Sequence, residues 1–143
     1  MPVSYKNNWK NIGDKLRNIF RSEFGASIPV YIGEGDYADQ QFIKIIPTGN
    51  EILEKQGTGE IKEYTFNLFL YIAKTNSNKN NINKLYRIMS RAESLIASNR
   101  NMTLADSTQT IDSIMLSYEI TEVDEVYDYI VEMDYSCIHF DNM

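Results

Sequence analysis

The sequence predicts an α+β fold, a mostly antiparallel sheet of about five strands with two helices packed on it, in the order α-β-β-β-α-β-β. One observation carries the sheet above all. In KEYTFNLFLYIA, Lys62 to Ala73, the residues Tyr64, Phe66, Leu68, Leu70 and Ile72 fall on one parity, and Glu63, Thr65 and Asn67 fall on the other. A half-buried strand requires this alternation, because successive side chains point to opposite faces. The second parity turns apolar at Phe69, Tyr71 and Ala73, which predicts that this end is covered on both sides, by a loop or another subunit. The helices rest on two stretches whose apolar residues recur at intervals of three and four. The whole chain, 1–143, reads as one domain. A chain of this length buries roughly 70% of its unfolded surface.

Taken in order, Ser4 to Phe24 is the first helix, with Tyr5, Trp9, Ile12, Leu16, Ile19, Phe20 and Phe24 as its stripe. Lys6, Lys10, Asp14, Lys15, Arg17 and Arg21 make a solvated and mostly basic face. Ser4 is the expected N-cap and Gly25 the expected stop, while Gly13 inside the helix marks a close approach to the sheet. Ile28 to Ile32 is a short strand that Pro29 assigns to an edge or a strand start. After the polar GEGDYADQ, Gln41 to Ile46 forms a second strand, ended by the turn chemistry of Pro47, Thr48 and Gly49. Asn50 to Glu60 then reads as a long connecting loop to the third strand.

A second helix spans about 81–97, with Ile82, Leu85, Ile88, Met89, Ala92, Leu95 and Ile96 on its apolar side. Ser98 to Thr110 is aperiodic. The fourth strand carries Ile114, Leu116, Tyr118 and Ile120 on one face, against Ser113, Met115, Ser117 and Glu119. In the fifth, Val126 to Phe140, Tyr127, Tyr129, Val131, Met133, Tyr135 and Cys137 oppose Asp128, Glu132, Asp134 and Ser136. This final pair is expected to be a hairpin with one apolar and one acidic face.

Composition excludes several function classes. No apolar run is long enough for a transmembrane helix, and the N-terminus has no apolar core of a secretory signal. The net charge of -6 argues against general nucleic-acid binding, which needs clustered Lys and Arg. The single Cys137 forms no intrachain disulfide and suggests a reducing compartment. On its apolar parity it reads as a buried thiol. His139, the one histidine, lacks partners at metal-ligand spacing and is expected at the surface near the chain end. The glycines form no phosphate loop, and Asp36 and Asp39 lack the spacing of a calcium loop. No acid–base or nucleophile pair is visible, so neither an enzyme nor a cofactor is expected.

The pattern of the whole chain resembles the tail-terminator and tail-completion proteins of long-tailed phages. The resemblance lies in the amphipathic first helix, PVYIGEG, FIKIIP before a long polar stretch, EYTFNLFLYIAKTN leading into a helix, and the tyrosine-rich YDYIVEMDYSCIHF. It implies a virion structural protein, assembled in the host cytoplasm, that forms a ring, usually a hexamer. Such a ring caps the tail tube and joins it to the neck. The implied partners are other copies of the chain, the tail tube protein and a neck or connector protein; DNA passes without specific binding, and no membrane is involved. A neck stopper or adaptor, a minor tail protein, and a small non-viral α+β binding module are the alternatives.

Two surfaces follow as candidates. Ile52, Leu53, Glu54 and Lys55 are the expected assembly interface, since the adjacent aliphatics have no periodic partner and lie in a long loop. If a ring surrounds the path of DNA, Asp128, Glu132 and Asp134 are the expected lumen-facing acids. An acidic wall repels phosphates instead of gripping them.

Overall fold

The computed structural model describes residues 5–33, 41–73, 78–122 and 127–142. It contains helix α1 (Asn8–Phe24), strands β1 (Val30–Ile32), β2 (Gln41–Gln56) and β3 (Gly59–Ala73), helix α2 (Asn78–Ser98), and strands β4 (Thr110–Glu122) and β5 (Tyr127–Asn142). The five strands form one sheet in the order β1-β2-β3-β5-β4. Only β1 runs parallel to its neighbour, and the other pairs are antiparallel. The fold is the expected α+β arrangement.

Helix α1 begins later than the sequence suggests. Ser4 lies outside the described residues, and Asn7 caps the helix by accepting from the Lys10 N–H at 3.2 Å. Gly25 ends it with φ of 61°, its own N–H bonding to the Arg21 carbonyl. The Arg21 guanidinium also donates twice to the Val30 carbonyl, at 3.0 and 3.2 Å, and so ties α1 to the edge strand.

Both helices cover the same face of the sheet. Ile12, Leu16 and Phe20 from α1, and Leu85, Ile88, Ala92 and Ile96 from α2, join one buried cluster with Ile43, Ile45, Leu68, Leu70, Val131 and Met133. Trp9, Met89 and Leu95 pack at its margin. Trp9 sets its ring edge-on to Tyr64 and Phe66, at 4.8 and 5.5 Å between centroids.

Strand β4 departs from its expected alternation. A bulge between Met115 and Ser117 breaks the register with β5, so Ser113 and Met115 lie opposite Cys137 and Tyr135, and Tyr118 opposite Met133. The extra residue re-aims every side chain beyond it. The predicted apolar row therefore does not face the core as one set. Ile114, Leu116 and Ile120 remain 51%, 56% and 46% exposed.

Candidate assembly surface

The expected assembly loop is not a loop. Residues 50–60 continue β2, turn at Gly57 and Thr58, and return as the start of β3. Pro47 and Gly49 are absorbed because β1 pairs with β2 only over Ile43 to Ile45. Beyond that point β2 is an edge strand, where a missing N–H does no harm, and a bulge between Pro47 and Gly49 takes up the irregularity. Gly57 has φ of 53° at the first central position of the two-residue turn, a conformation that favours glycine. Ile52, Leu53, Glu54 and Lys55 stand exposed on this arm, Ile52 at 46% and Leu53 at 49%. The candidate interface is thus a strand edge with fixed geometry.

The sheet face opposite the helices carries the acidic set. Glu132 and Asp134 lie on it, half-buried, while the side chain of Asp128 is outside the described residues. Polar bonds run across the strands here: Asn67 donates to Glu132 at 3.0 Å, Ser117 to Asp134 at 2.8 Å, and Ser136 to Glu63 at 2.9 Å. Two like-charged pairs sit directly opposite each other, Glu119 with Glu132 and Glu51 with Glu63. Such pairs cost stability. Lys44 is a basic residue on this face, held over the Phe69 and Tyr71 rings at 5.2 and 5.3 Å. Phe42 stacks on Tyr71 at 4.5 Å and is buried, so part of the predicted second-side cover comes from within the chain. The basic side chains of the helices, including Lys10, Lys15, Arg17, Arg21, Arg87 and Arg91, belong to the opposite layer.

At the base of the arm the structure assembles a polar cluster that sequence reasoning missed. His139 is 2% exposed, not on the surface. It continues the core-facing parity of Tyr135 and Cys137, which is the signal that would have found it. Its Nδ1 lies 2.6 Å from Asp141 Oδ1, and its Nε2 lies 3.0 Å from Thr108 Oγ1. Thr108 also bonds Asp106 at 2.6 Å, and Asp141 accepts from the Tyr64 hydroxyl and lies 3.4 Å from Lys62 Nζ. Burial works against the Asp141 charge, yet the bonds from His139 and Tyr64 and the nearby cations hold its carboxyl below the usual range. Burial, then the bond to Asp141, raises the Tyr64 hydroxyl. A cleft of about 620 Å³ opens above it, lined by Asn8, Trp9, Asn50, Lys62, Tyr64 and Asp141. Cys137 is fully buried as expected, and burial pushes its thiol up to about 12.

The cluster ties β3, β5 and the 99–109 connection together at the root of the arm, and its chemistry is that of a fastening. Among the described residues no three His, Cys, Asp or Glu side chains converge to hold a metal ion.

No family model matches the chain, and neither does any curated protein. Among solved structures it is similar to a chain from the virion of a native gene transfer agent particle. That likeness has a TM-score of 0.50 at 9% identity, and covers 97% of this chain and 100% of the other. The likeness is one of fold.

Proposed function

We propose that this chain is a virion structural protein of a phage-like particle. It acts as a ring-forming subunit at the tail–neck junction that caps the tail tube and joins it to the head connector. The observation that carries this reading is the end-to-end likeness of its fold to a chain of a gene transfer agent virion. The separation of charge between the two layers supports it. In this reading the acidic face, with Glu132 and Asp134, turns toward the path of DNA, and the basic helix layer turns outward or to neighbouring proteins. Repulsion of phosphates from such a wall acts over about 8 Å at physiological salt.

The test is to purify the protein and measure its size alone and with a tail tube protein, then image the products. The expected result is a closed ring that seats on tube ends and stops their growth. Rings that bind a connector protein but leave tubes uncapped would assign the chain to a neck stopper or adaptor instead. A protein that stays monomeric and binds neither would overturn the reading.

A further inference from the structure

We propose that copies of this chain join edge to edge through their sheets, the outer edge of β2 beyond Ile45 on one copy pairing with β4 of the next. The inference rests on the ring reading and names the contact that would build the ring.

Three observations support it. First, the sheet has two open edges of different kinds. Among the described residues the outer side of β2 has no strand partner beyond Ile45, and β4 pairs only with β5. Over Asn99 to Thr110, the connection before β4 covers only its beginning, through the bond from Thr110 N to the Met102 carbonyl and those from Ser113 Oγ and Asn101. An open edge presents rows of backbone N–H and C=O groups, and what satisfies them is another strand.

Second, the exposed apolar surface is concentrated at these edges. Ile32, Ile52 and Leu53 lie along the β1/β2 side, and Ile111, Ile114, Leu116 and Ile120 along β4, all between 41% and 56% exposed. Natural edge strands are normally blunted by charge, proline or cover. Here β4 carries the charges of Asp112 and Glu119, yet its four exposed aliphatics outnumber them, as on a surface meant to be covered.

Third, the occupant that covers both edges is a second copy of this chain. Pairing β4 with β4 of another copy would bury one edge and leave Ile32, Ile52 and Leu53 in water. Pairing β2 with β4 buries both, and because each copy then still offers one edge of each kind, addition continues until the series closes. A heterologous contact of this type generates rings when the rotation closes. The hairpin arm, fastened at its root by Tyr64, His139 and Asp141, presents the β2 edge.

The experiment uses two variants of the full chain, one with Leu53→Lys and Ile52→Lys, the other with Leu116→Lys and Ile120→Lys. All four side chains are exposed, so thermal melts should match the parent. Each variant alone should lose self-association by at least about 100-fold, as burying an unpaired ammonium does. Mixed in equal amounts, the two should recover a heterodimer and nothing larger, since the mixture retains one intact β2 edge and one intact β4 edge. A β2-edge variant that still dimerises through β4 would overturn the proposal in favour of a symmetric β4 contact. If parent and both variants all form the same rings, the ring reading stands and the edge contact falls. If the parent never self-associates, alone or on tube ends, both fall together.

Discussion

His139 and Asp141 stand two positions apart on β5, on the parity that faces the core, and meet at 2.6 Å with both side chains buried. The strand thus changes character without changing face. Tyr129, Val131, Met133, Tyr135 and Cys137 fill the hydrophobic layer, and the next two inward residues build a polar fastening under the hairpin arm. The Thr108 hydroxyl has one proton and two neighbours that could take it, Asp106 and His139. Thr108 donates it to Asp106, at 2.6 Å.

Because the Asp141 carboxyl is held below its usual range, its contribution to stability is complete above the ordinary carboxylate titration and is lost as pH falls through the lowered value. Urea midpoints measured from neutral pH down to about pH 3 should therefore fall for the parent chain. Asp141→Asn should cost about 3 kcal/mol at neutral pH, by stranding its buried partners, and should flatten that acid limb. An unchanged pH profile in the variant would show that the pair is not the acid-sensitive element.

Two buried glycines, Gly59 and Gly13, should respond oppositely to alanine. At Gly59 an added Cβ would fall 2.8 Å from the Asp141 carbonyl oxygen and closer still to the Phe140 ring, so backbone must shift. Gly59→Ala is expected to destabilise by about 1–3 kcal/mol. At Gly13 the nearest atom to an added Cβ is Phe66 Cε1 at 3.7 Å, an ordinary contact. Gly13→Ala should stabilise α1 by up to about 1 kcal/mol. Denaturant melts of both variants decide the matter.

Phe20 is fully buried and Leu85 is 2% exposed, on the two helices that share one cluster with the sheet. Each truncation to alanine should cost about 2–5 kcal/mol, and Trp9 fluorescence should report the same unfolding transition as circular dichroism. A neutral effect at either position would remove that helix face from the core.

Glu119→Lys should raise stability by about 0.2–1 kcal/mol, because it replaces a carboxylate directly opposite Glu132 with an ammonium. The same change on a face that DNA passes should slow ejection from assembled particles. A variant that is more stable and ejects DNA normally would separate the acidic face from the channel.

The periods of the chain determined which stretches are helix and which are strand, and which parity of β3 and β5 is buried. Those properties depend on side chains at i, i+2 and i+4 or at i, i+3 and i+4, which sequence lists side by side. The row from Tyr129 to Cys137 was legible, and following it two steps further reaches His139 and Asp141. Three things were decided only by tertiary structure. Residues 50–60 form an arm because β3, the partner of β2 there, is itself held by β5 from Gly59 to Lys62. The split of the β4 row, with Ile114 opposite Ser136 but Tyr118 and Ile120 opposite Met133 and Val131, follows from a bulge set by register against β5, not from the composition of β4. The lowered titration of the Asp141 carboxyl is owed first to His139, its neighbour on the strand, but also to Tyr64 and Lys62, which lie far away in the chain and come close only across the sheet. Periodicity is a local property, whereas edges, bulges and buried charge are defined by the strand on the other side.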